Sequence, residues 1–203
     1  MTPVKPSVRR YRHGDSAAAA ALLYESSGGL YDRYAGSRAL AERALVRGLA
    51  SEGTAVSADV VTVAELEGHV AGAMAAMAYR DWTPRANAFL RVSLRAIPPW
   101  RWPQALWLYR ASGRTAPEPP GASFYVDSLA TAPGMRRRGV AMALLHEAER
   151  LALAGGLSSV SLDTWANNHG ARALYARAGF EEVARTPPVA GLPGGVSLVK
   201  ALA

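Results

Sequence analysis

The C-terminal half of the chain alternates between short apolar runs and longer segments with apolar residues at three- and four-residue spacing. The short runs are rich in β-branched and aromatic residues, which predicts strands, and the longer segments predict amphipathic helices. This alternation is typical of an α/β fold. The predicted elements are a strand, a helix, a strand, a helix and two closing strands: Phe124–Thr131, Val140–Ala154, Val160–Thr164, Asn168–Ala178, Phe180–Arg185 and Val196–Ala201.

The N-terminal half predicts a strand, two helices and a hairpin. Asp15 is a capping residue before the first helix, and the Ser26–Gly29 segment, Ser-Ser-Gly-Gly, ends that helix. Glu67 and Gly68 form a tight turn between two apolar runs, which predicts a β-hairpin. The predicted elements are Val8–Tyr11, Ser16–Tyr24, Ser37–Leu49, Val60–Leu66 and His69–Tyr79.

Residues 80–120 have a different composition from the rest of the chain. They hold four of the five tryptophans, and seven arginines against two acidic residues, so they carry +5 of the net charge of +7. Proline clusters separate two predicted helices, Arg85–Ala96 and Pro103–Ser112. Because 203 residues suit one domain, we interpret 80–120 as an insertion or lid within a single domain spanning 1–203.

The composition excludes several classes of site. No cysteine is present, so disulfides, thiolate zinc sites and a cysteine nucleophile are excluded, and the four histidines lack metal-ligand spacing. No apolar run reaches the roughly 18 to 20 residues of a membrane span, so we expect no membrane span and a cytoplasmic, bacterial-type protein. The arginine surplus favours an acidic partner or reflects a GC-rich genome, and composition alone does not separate the two.

The strongest local motif is Arg-Arg-Arg-Gly-Val-Ala at 136–141, between a predicted strand and a predicted helix. A turn here directs backbone N–H groups into one concavity at the positive end of the helix, and Gly139 leaves room for a close phosphate. The pattern predicts a pyrophosphate site, although a solvated first helical turn would look the same. It lacks the lysine of a P-loop and the glycines of a dinucleotide-binding loop.

A second motif, Asn-x-x-Ala-x-x-Leu-Tyr-x-x-x-Gly-Phe, covers Asn168–Phe180. Asn168 is suited to cap the helix. Tyr175 lies one residue round from the apolar stripe, so its hydroxyl can reach a cleft, or its ring can simply fill the core.

Together the two motifs resemble the GNAT superfamily of acyl-CoA-dependent N-acetyltransferases over residues 124–185. Leu-Ala-Thr-Ala-Pro at 129–133 followed by Arg136-x-x-Gly139-x-Ala141 resembles the family's acyl-CoA-binding signature. Thr131 stands where the family usually has valine, and Ala141 where glycine is more frequent. The resemblance implies a mixed α/β fold, with a splayed central sheet flanked by helices and the Arg/Trp/Pro-rich insertion before the cofactor-binding strand.

The resemblance also implies the chemistry. Acetyl-CoA would be the acyl donor, the acceptor would be a primary amine of a small molecule, amino acid or peptide, and Tyr175 would protonate the departing thiolate. Asn168 would contact the pantetheine or cap its helix. The residues expected to bind acetyl-CoA are Leu129, Ala130, Thr131, Arg136, Arg137, Arg138, Gly139, Val140, Ala141, Met142, Asn168 and Tyr175.

For the general base we predict Asp127, because two-residue alternation along a strand places it on the same face as Leu129 and Thr131. A surface carboxylate or a turn cap would look the same. Asp163 and Glu65 are weaker candidates. A backbone N–H near Ala130 or Thr131 is expected to stabilise the oxyanion.

Two hypotheses address the insertion. As a lid, it would wall the acceptor pocket with Trp100, Trp102 and Trp107. As a homodimer interface, it would present an apolar surface made of Phe89, Leu90, Val92, Leu94 and Ile97.

Two other functions compete with the enzyme. One is a protein that binds acyl-CoA without catalysis, and the other is a basic module for nucleic acid or a membrane surface. We expect no nucleic-acid partner, because a basic binding module would leave both motifs unexplained. Few carboxylates lie in 80–120, which disfavours a polycationic acceptor.

Overall fold

The computed structural model describes residues 4–189 and 191–202, and one twisted sheet runs through them. Its strands are β1 (Ser7–Arg10), β2 (Val61–Leu66), β3 (His69–Ala78), β4 (Phe124–Thr131), β5 (Ser159–Trp165), β6 (Glu181–Arg185) and β7 (Gly195–Ala201). Their order across the sheet is β1-β2-β3-β4-β5-β7-β6. The last strand, β7, therefore lies between β5 and β6.

The sheet is divided at the contact between β4 and β5. This is the parallel pair, and its register covers Phe124–Val126 against Val160–Leu162 before the strands part. The other neighbouring strands of the described sheet are antiparallel. The predicted mixed α/β fold with a splayed sheet is confirmed.

Helices cover both faces of the sheet. They are α1 (Ser16–Ser26), α2 (Leu30–Ala35), α3 (Arg38–Leu49), α4 (Tyr79–Leu94), α5 (Trp102–Thr115), α6 (Val140–Ala154) and α7 (His169–Arg177). The side chains of α6 and α7 share one core cluster with β4 and β5, and α1 to α5 contribute to clusters on the other face. Residues 80–120 contain most of α4 and all of α5.

Close packing of α6 on β3 depends on Gly72. A Cβ at this position would lie 2.6 Å from Cγ1 of Val140 and 3.1 Å from Cδ1 of Leu144. Val140 and Leu144 are fully buried, so the glycine lets the helix that begins at the basic motif lie directly against the sheet. No helix in the described ranges is long and apolar enough to cross a membrane.

Two helices differ from the sequence-based expectation. The helix α2 was not predicted, because the Ser-Ser-Gly-Gly sequence indicates the start of an irregular segment that continues through Leu30–Ala35. These residues instead form a short helix between Gly29 and Gly36, which both have left-handed backbones. The helix α4 begins at Tyr79, well before the predicted Arg85, and contains Pro84.

Candidate active site

A β-bulge in β4 sets the direction of the candidate base. Ala75 pairs with Ser128 and Ala76 pairs with Val126, so Asp127 is the extra residue on β4. Val126 and Leu129 consequently both pack into the core on the α6 face, while Asp127 and Ser128 line a cavity on the other face. The prediction that Asp127 shares a strand face with Leu129 and Thr131 is wrong, because the bulge interrupts the alternation.

Beyond the bulge, β4 has a free edge toward the gap. The N–H of Ala132 donates to the carbonyl of Ala71 at 2.8 Å. In an antiparallel pair such bonds occur at every second residue, so Ala130 also faces β3, and the backbone groups of Leu129 and Thr131 point into the gap. The hydroxyl of Thr131 is buried without a hydrogen-bond partner in the part of the chain that the structure describes. An extended ligand with amide groups fits this edge.

The turn after β4 has the geometry of an anion site. Arg137 and Gly139 both have left-handed backbones, with φ of 60° and 83°, and Gly139 directly precedes α6. A Cβ at Gly139 would meet no atom within 4 Å, so the space in front of the first turn is open. The first N–H groups of a helix have no intrahelical acceptor. A diphosphate fits this turn by charge and by its need for N–H donors.

The three arginines of the motif have different environments. Arg138 forms an ion pair with Glu67 in the β2–β3 turn, which fixes one side of the anion site. Arg136 and Arg137 are exposed and add positive charge. Met142 is half-buried in the first turn of α6 and packs against the core.

The second motif folds into α7, and its two candidate residues are placed differently. Asn168 caps the helix: Oδ1 accepts from the N–H of Ala171 at 3.2 Å, and Nδ2 donates to Oγ1 of Thr164 at 3.2 Å. Tyr175 is buried in the core cluster on the α6 face, with its ring 6.1 Å from that of Phe180. Burial, and secondarily the charge of Asp163, raises the pKa of Tyr175, so the phenol keeps its proton at neutral pH.

The cavity at the bulge lies on the face opposite Tyr175. Its volume is about 240 Å³, and the walls come from the end of α1, from α2, α4 and α5, from the segment after α3, and from β4. The lining residues are Ser26, Ser27, Leu30, Tyr31, Tyr34, Ala55, Val56, Trp82, Ala86, Phe89, Leu90, Ser93, Leu108, Tyr109, Ser112, Asp127 and Ser128.

Asp127 is held in the cavity wall by neutral donors. Nε1 of Trp82 donates to its Oδ1 at 2.6 Å, and the Ser128 hydroxyl donates to its Oδ2 at 3.2 Å. Burial raises the pKa of Asp127, and these two hydrogen bonds oppose that rise. A carboxylate with a raised pKa is a better proton acceptor than an exposed one.

A second carboxylate lies where β4 and β5 part. The hydroxyl of Tyr125 donates to Asp163 across the two strands. Burial raises the pKa of Asp163 to about 6, against the opposing effect of that hydrogen bond. Tyr79 and Trp82 pack on Tyr125 with ring centroids 5.5 Å and 5.9 Å away. Asp163 is therefore linked through Tyr125 to the same aromatic cluster whose Trp82 donates to Asp127.

Glu65, the remaining candidate base, is not part of this site. It lies on β2, two strands away from β4, in an ion pair with Arg9 at 2.5 Å. Arg9 also binds Asp15, so Glu65 belongs to a structural network near the edge of the sheet.

The insertion walls the cavity, but with other residues than predicted. Trp100 is 79% exposed and Trp102 and Trp107 are also exposed, and these three do not line the cavity. The predicted apolar dimer surface is largely internal, because Phe89, Leu90, Leu94 and Ile97 pack into the core clusters. Both corrections have one cause: α4 and α5 turn their aliphatic and phenyl groups inward, whereas the corner with Trp100 and the indoles of α5 face outward.

Sequence reasoning missed the aromatic residues that define the cavity. Trp82 is 45 residues before Asp127, and Tyr31 belongs to the unpredicted helix α2. No local spacing connects these residues with the motif region. The one available signal was the concentration of tryptophan in 80–120.

The sheet is thus splayed, and β4 has a free edge between the cavity at Asp127 and the turn before α6. Residues 38–180 match the model of the acetyltransferase (GNAT) family. The chain therefore belongs to the GNAT family of acetyltransferases, and it is an acyltransferase. The predicted family is confirmed.

Solved structures support the same fold. A structure named acetyltransferase is 19% identical, with a TM-score of 0.67 over 97% of this chain and 100% of that one. An N-acetyltransferase from Staphylococcus aureus is 19% identical, with a TM-score of 0.72 over 95% and 99%. A Corynebacterium glutamicum protein named histone acetyltransferase HPA2 and related acetyltransferase is 21% identical, with a TM-score of 0.61 over 98% and 97%. No curated protein matches the chain.

Proposed function

We propose that this protein transfers the acetyl group of acetyl-CoA to a primary amine by direct attack of the amine on the thioester. The observation that carries the proposal is the free edge of β4, which runs from the cavity at Asp127 to the anion-binding turn before α6. An extended donor with a diphosphate at one end and a reactive group at the other fits that order. The single domain 1–203 would then contain an acyl-CoA-binding core at 124–185 and an acceptor-site insertion at 80–120.

The chain's own backbone would hold the donor. N–H groups from Arg137 to Ala141 would bind the diphosphate, with Arg136 and Arg137 adding positive charge and Met142 packing behind the turn. The outward-facing backbone of Thr131 would pair with a pantetheine amide. Asn168 would act by capping α7, because both of its side-chain groups already have partners.

The N–H of Leu129 is the best-placed donor to the carbonyl oxygen of the reacting group. Ala130 directs its N–H toward β3, and Thr131 lies nearer the anion-binding turn. Leu129 lies next to Ser128 at the cavity wall and faces the gap. A preorganised donor of this kind contributes about 3 kcal/mol to transition-state stabilisation.

Proton transfer would use both faces of the sheet. Acetyl-CoA, when bound, supplies the thioester that the amine attacks. Asp127 would accept the proton of the ammonium group in the cavity, which leaves the neutral amine as nucleophile. Tyr175, on the opposite face, would donate its proton to the departing thiolate. The ammonium group loses two protons on the way to the amide. Asp127 would accept the first and release it to solvent before the attack, and it would accept the second from the nitrogen of the tetrahedral intermediate. The departing thiolate would receive the proton of Tyr175, and solvent would carry the second amine proton from Asp127 back to the Tyr175 phenolate.

Thermal unfolding with acetyl-CoA tests the first part of the proposal. A ligand at 100 times its Kd adds about 2.7 kcal/mol, which is roughly 5 to 11 °C in Tm for a chain of this length. We expect a rise of this size with acetyl-CoA and a much smaller one with ADP, which lacks the pantetheine. An oligonucleotide at the same concentration controls for charge.

Acetyl transfer is then measured by mass spectrometry of an amine panel with release of free CoA. Acetylated amine supports the proposal. Stabilisation by acetyl-CoA without turnover of any amine would instead indicate a binding protein, and stabilisation by the oligonucleotide alone would indicate a nucleic-acid module.

A further inference from the structure

The cavity at Asp127 has a distinctive lining. Five aromatic side chains line it, from Tyr31, Tyr34, Trp82, Phe89 and Tyr109. Among the described residues that line it, the one charged group is the carboxylate of Asp127. A site of this composition recognises a single positive charge attached to an apolar body.

Two of the three tyrosine hydroxyls that line the cavity already have partners. The Tyr34 hydroxyl bonds to the hydroxyl of Ser93 at 2.7 Å, and the Tyr109 hydroxyl donates to Oδ1 of Asn87 at 3.0 Å. These rings therefore offer mainly aromatic surface to a ligand. A polyhydroxylated or multiply charged ligand would lose hydration here without enough replacement hydrogen bonds.

Asp127 has no cationic partner within the described residues. Its hydrogen-bond donors are the neutral groups of Trp82 and Ser128, whereas Asp15 and Glu65 each bind Arg9. An ammonium group would supply the missing charge, and nearby aromatic faces favour a cation further.

The volume limits the size of the ligand. An apolar cavity of 150 Å³ accommodates benzene, and this one measures about 240 Å³. One six-membered ring with a short amine-bearing chain therefore fits, whereas an aminoglycoside or a polypeptide segment is too large to be enclosed.

We propose that the acceptor is a compact hydrophobic primary monoamine, with its ammonium group at Asp127 and its ring among the aromatic side chains of the cavity. The inference rests on the proposed acetyl transfer for its reaction, but the recognition of the amine does not depend on it. The amine end lies at β4, next to Leu129, where the acyl group would arrive.

Three probes separate charge from shape. 2-Phenylethylamine has the ring and the charge, 2-phenylethanol has the ring alone, and spermidine has charge without a ring. We expect calorimetry on the full chain to give 2-phenylethylamine at least tenfold tighter binding than either of the others. With acetyl-CoA present, kcat/KM should follow the same order. Equal or better binding of spermidine would overturn the proposal.

Two variants test the placement of the amine. Asp127→Asn should remove the preference for 2-phenylethylamine over 2-phenylethanol, and Asp81→Asn, which removes an exposed carboxylate from the same helix as Trp82, should leave it. Ala86→Leu should fill the cavity and weaken 2-phenylethylamine binding at least tenfold without changing acetyl-CoA affinity. Ala18→Leu, at an exposed position of α1, is its matched control. A preference that survives Asp127→Asn contradicts the placement.

The two proposals fail in different ways. If 2-phenylethylamine binds through Asp127 but acetyl-CoA does not bind, the acetyl-transfer function fails and the amine site stands. If acetyl-CoA is used to acetylate spermidine or a peptide but not 2-phenylethylamine, the function stands and the acceptor class is wrong.

Discussion

Nε1 of Trp82 donates a hydrogen bond of 2.6 Å to Oδ1 of Asp127. The donor belongs to α4, most of which lies in the insertion, and the acceptor is the bulged residue of β4. The insertion therefore touches the candidate base directly, and it can set both the shape of the cavity and the proton affinity of the Asp127 carboxylate.

Trp82→Phe should shift the acidic limb of the pH–rate profile to higher pH. The indole hydrogen bond lowers the pKa of Asp127 against the dominant effect of burial, so its loss raises that pKa and leaves less ionised base below neutrality. We expect kcat/KM to fall several-fold at pH 6 and least at pH 9. Trp107→Phe, at an exposed position of α5, should leave the profile unchanged. An unshifted limb in Trp82→Phe would mean that Asp127 is not the titrating base.

Tyr175→Phe should lower kcat by about 10²- to 10⁴-fold, the usual contribution of a general acid. Acetyl-CoA affinity should change little, because the ring stays packed against Phe180. Stopped-flow turnover and calorimetry measure the two effects separately. Tyr11→Phe, at a buried tyrosine in another core cluster, is the control. If Tyr175→Phe keeps full kcat, Tyr175 is not the general acid and serves only to pack the core.

Asp163 should make folding stability depend on pH in a defined direction. The folded-state pKa of about 6 exceeds the unfolded value near 3.8, so its contribution is fully present below pH 4 and is lost as pH rises through 6. Relative to the parent, Asp163→Asn should therefore gain about 3 kcal/mol between pH 4 and pH 8. Urea unfolding at several pH values measures this difference.

Asp15→Asn is the control, because its effect on folding stability should depend on pH in the opposite direction. The hydrogen bond from Arg9 lowers the pKa of Asp15, so its stabilising contribution is present at neutral pH and is lost on acidification. The loss of stability caused by Asp15→Asn should shrink as the pH falls. Parallel curves would contradict one of the two assignments, and the direction of their common slope would show which.

Gly139→Ala should weaken acetyl-CoA binding. Alanine at a φ of 83° costs about 1 kcal/mol of backbone strain, and its Cβ would project into the open space before α6. We expect a tenfold or greater rise in the Kd of acetyl-CoA. Gly134→Ala is a matched control in the same loop, because Gly134 has neither a positive φ nor a nearby atom. Equal effects of the two changes would exclude a specific role for the Gly139 turn.

Elements whose apolar spacing is regular from end to end were predicted correctly from the sequence. β4 and α6 have the bounds that their apolar spacing indicates. The start of α4 was not predictable in this way, because Pro84 removes the hydrogen bond to the carbonyl of Arg80 and is read as a helix boundary. The first turn is instead supported by Tyr79 and Trp82 packing on Tyr125, a contact between distant parts of the chain.

The candidate site shows the same division between local and long-range information. The turn at Gly139 and the cap at Asn168 were visible in short motifs, because a few adjacent residues determine them. The direction of Asp127 was not, because a bulge is a property of two paired strands. Two-residue alternation along β4 places Asp127 on the α6 face, whereas the register of β4 with β3 shows that it lies on the other face.

The short parallel contact between β4 and β5 also has a mechanical consequence. Backbone pairing over three residues of each strand joins β1–β4 to the remaining three strands. A ligand that lies along the free edge of β4 occupies the gap between the two half-sheets and braces one against the other. The two half-sheets should therefore move less against each other when the proposed acyl donor is bound. Slower hydrogen exchange of the Leu129 and Thr131 amides would report that binding.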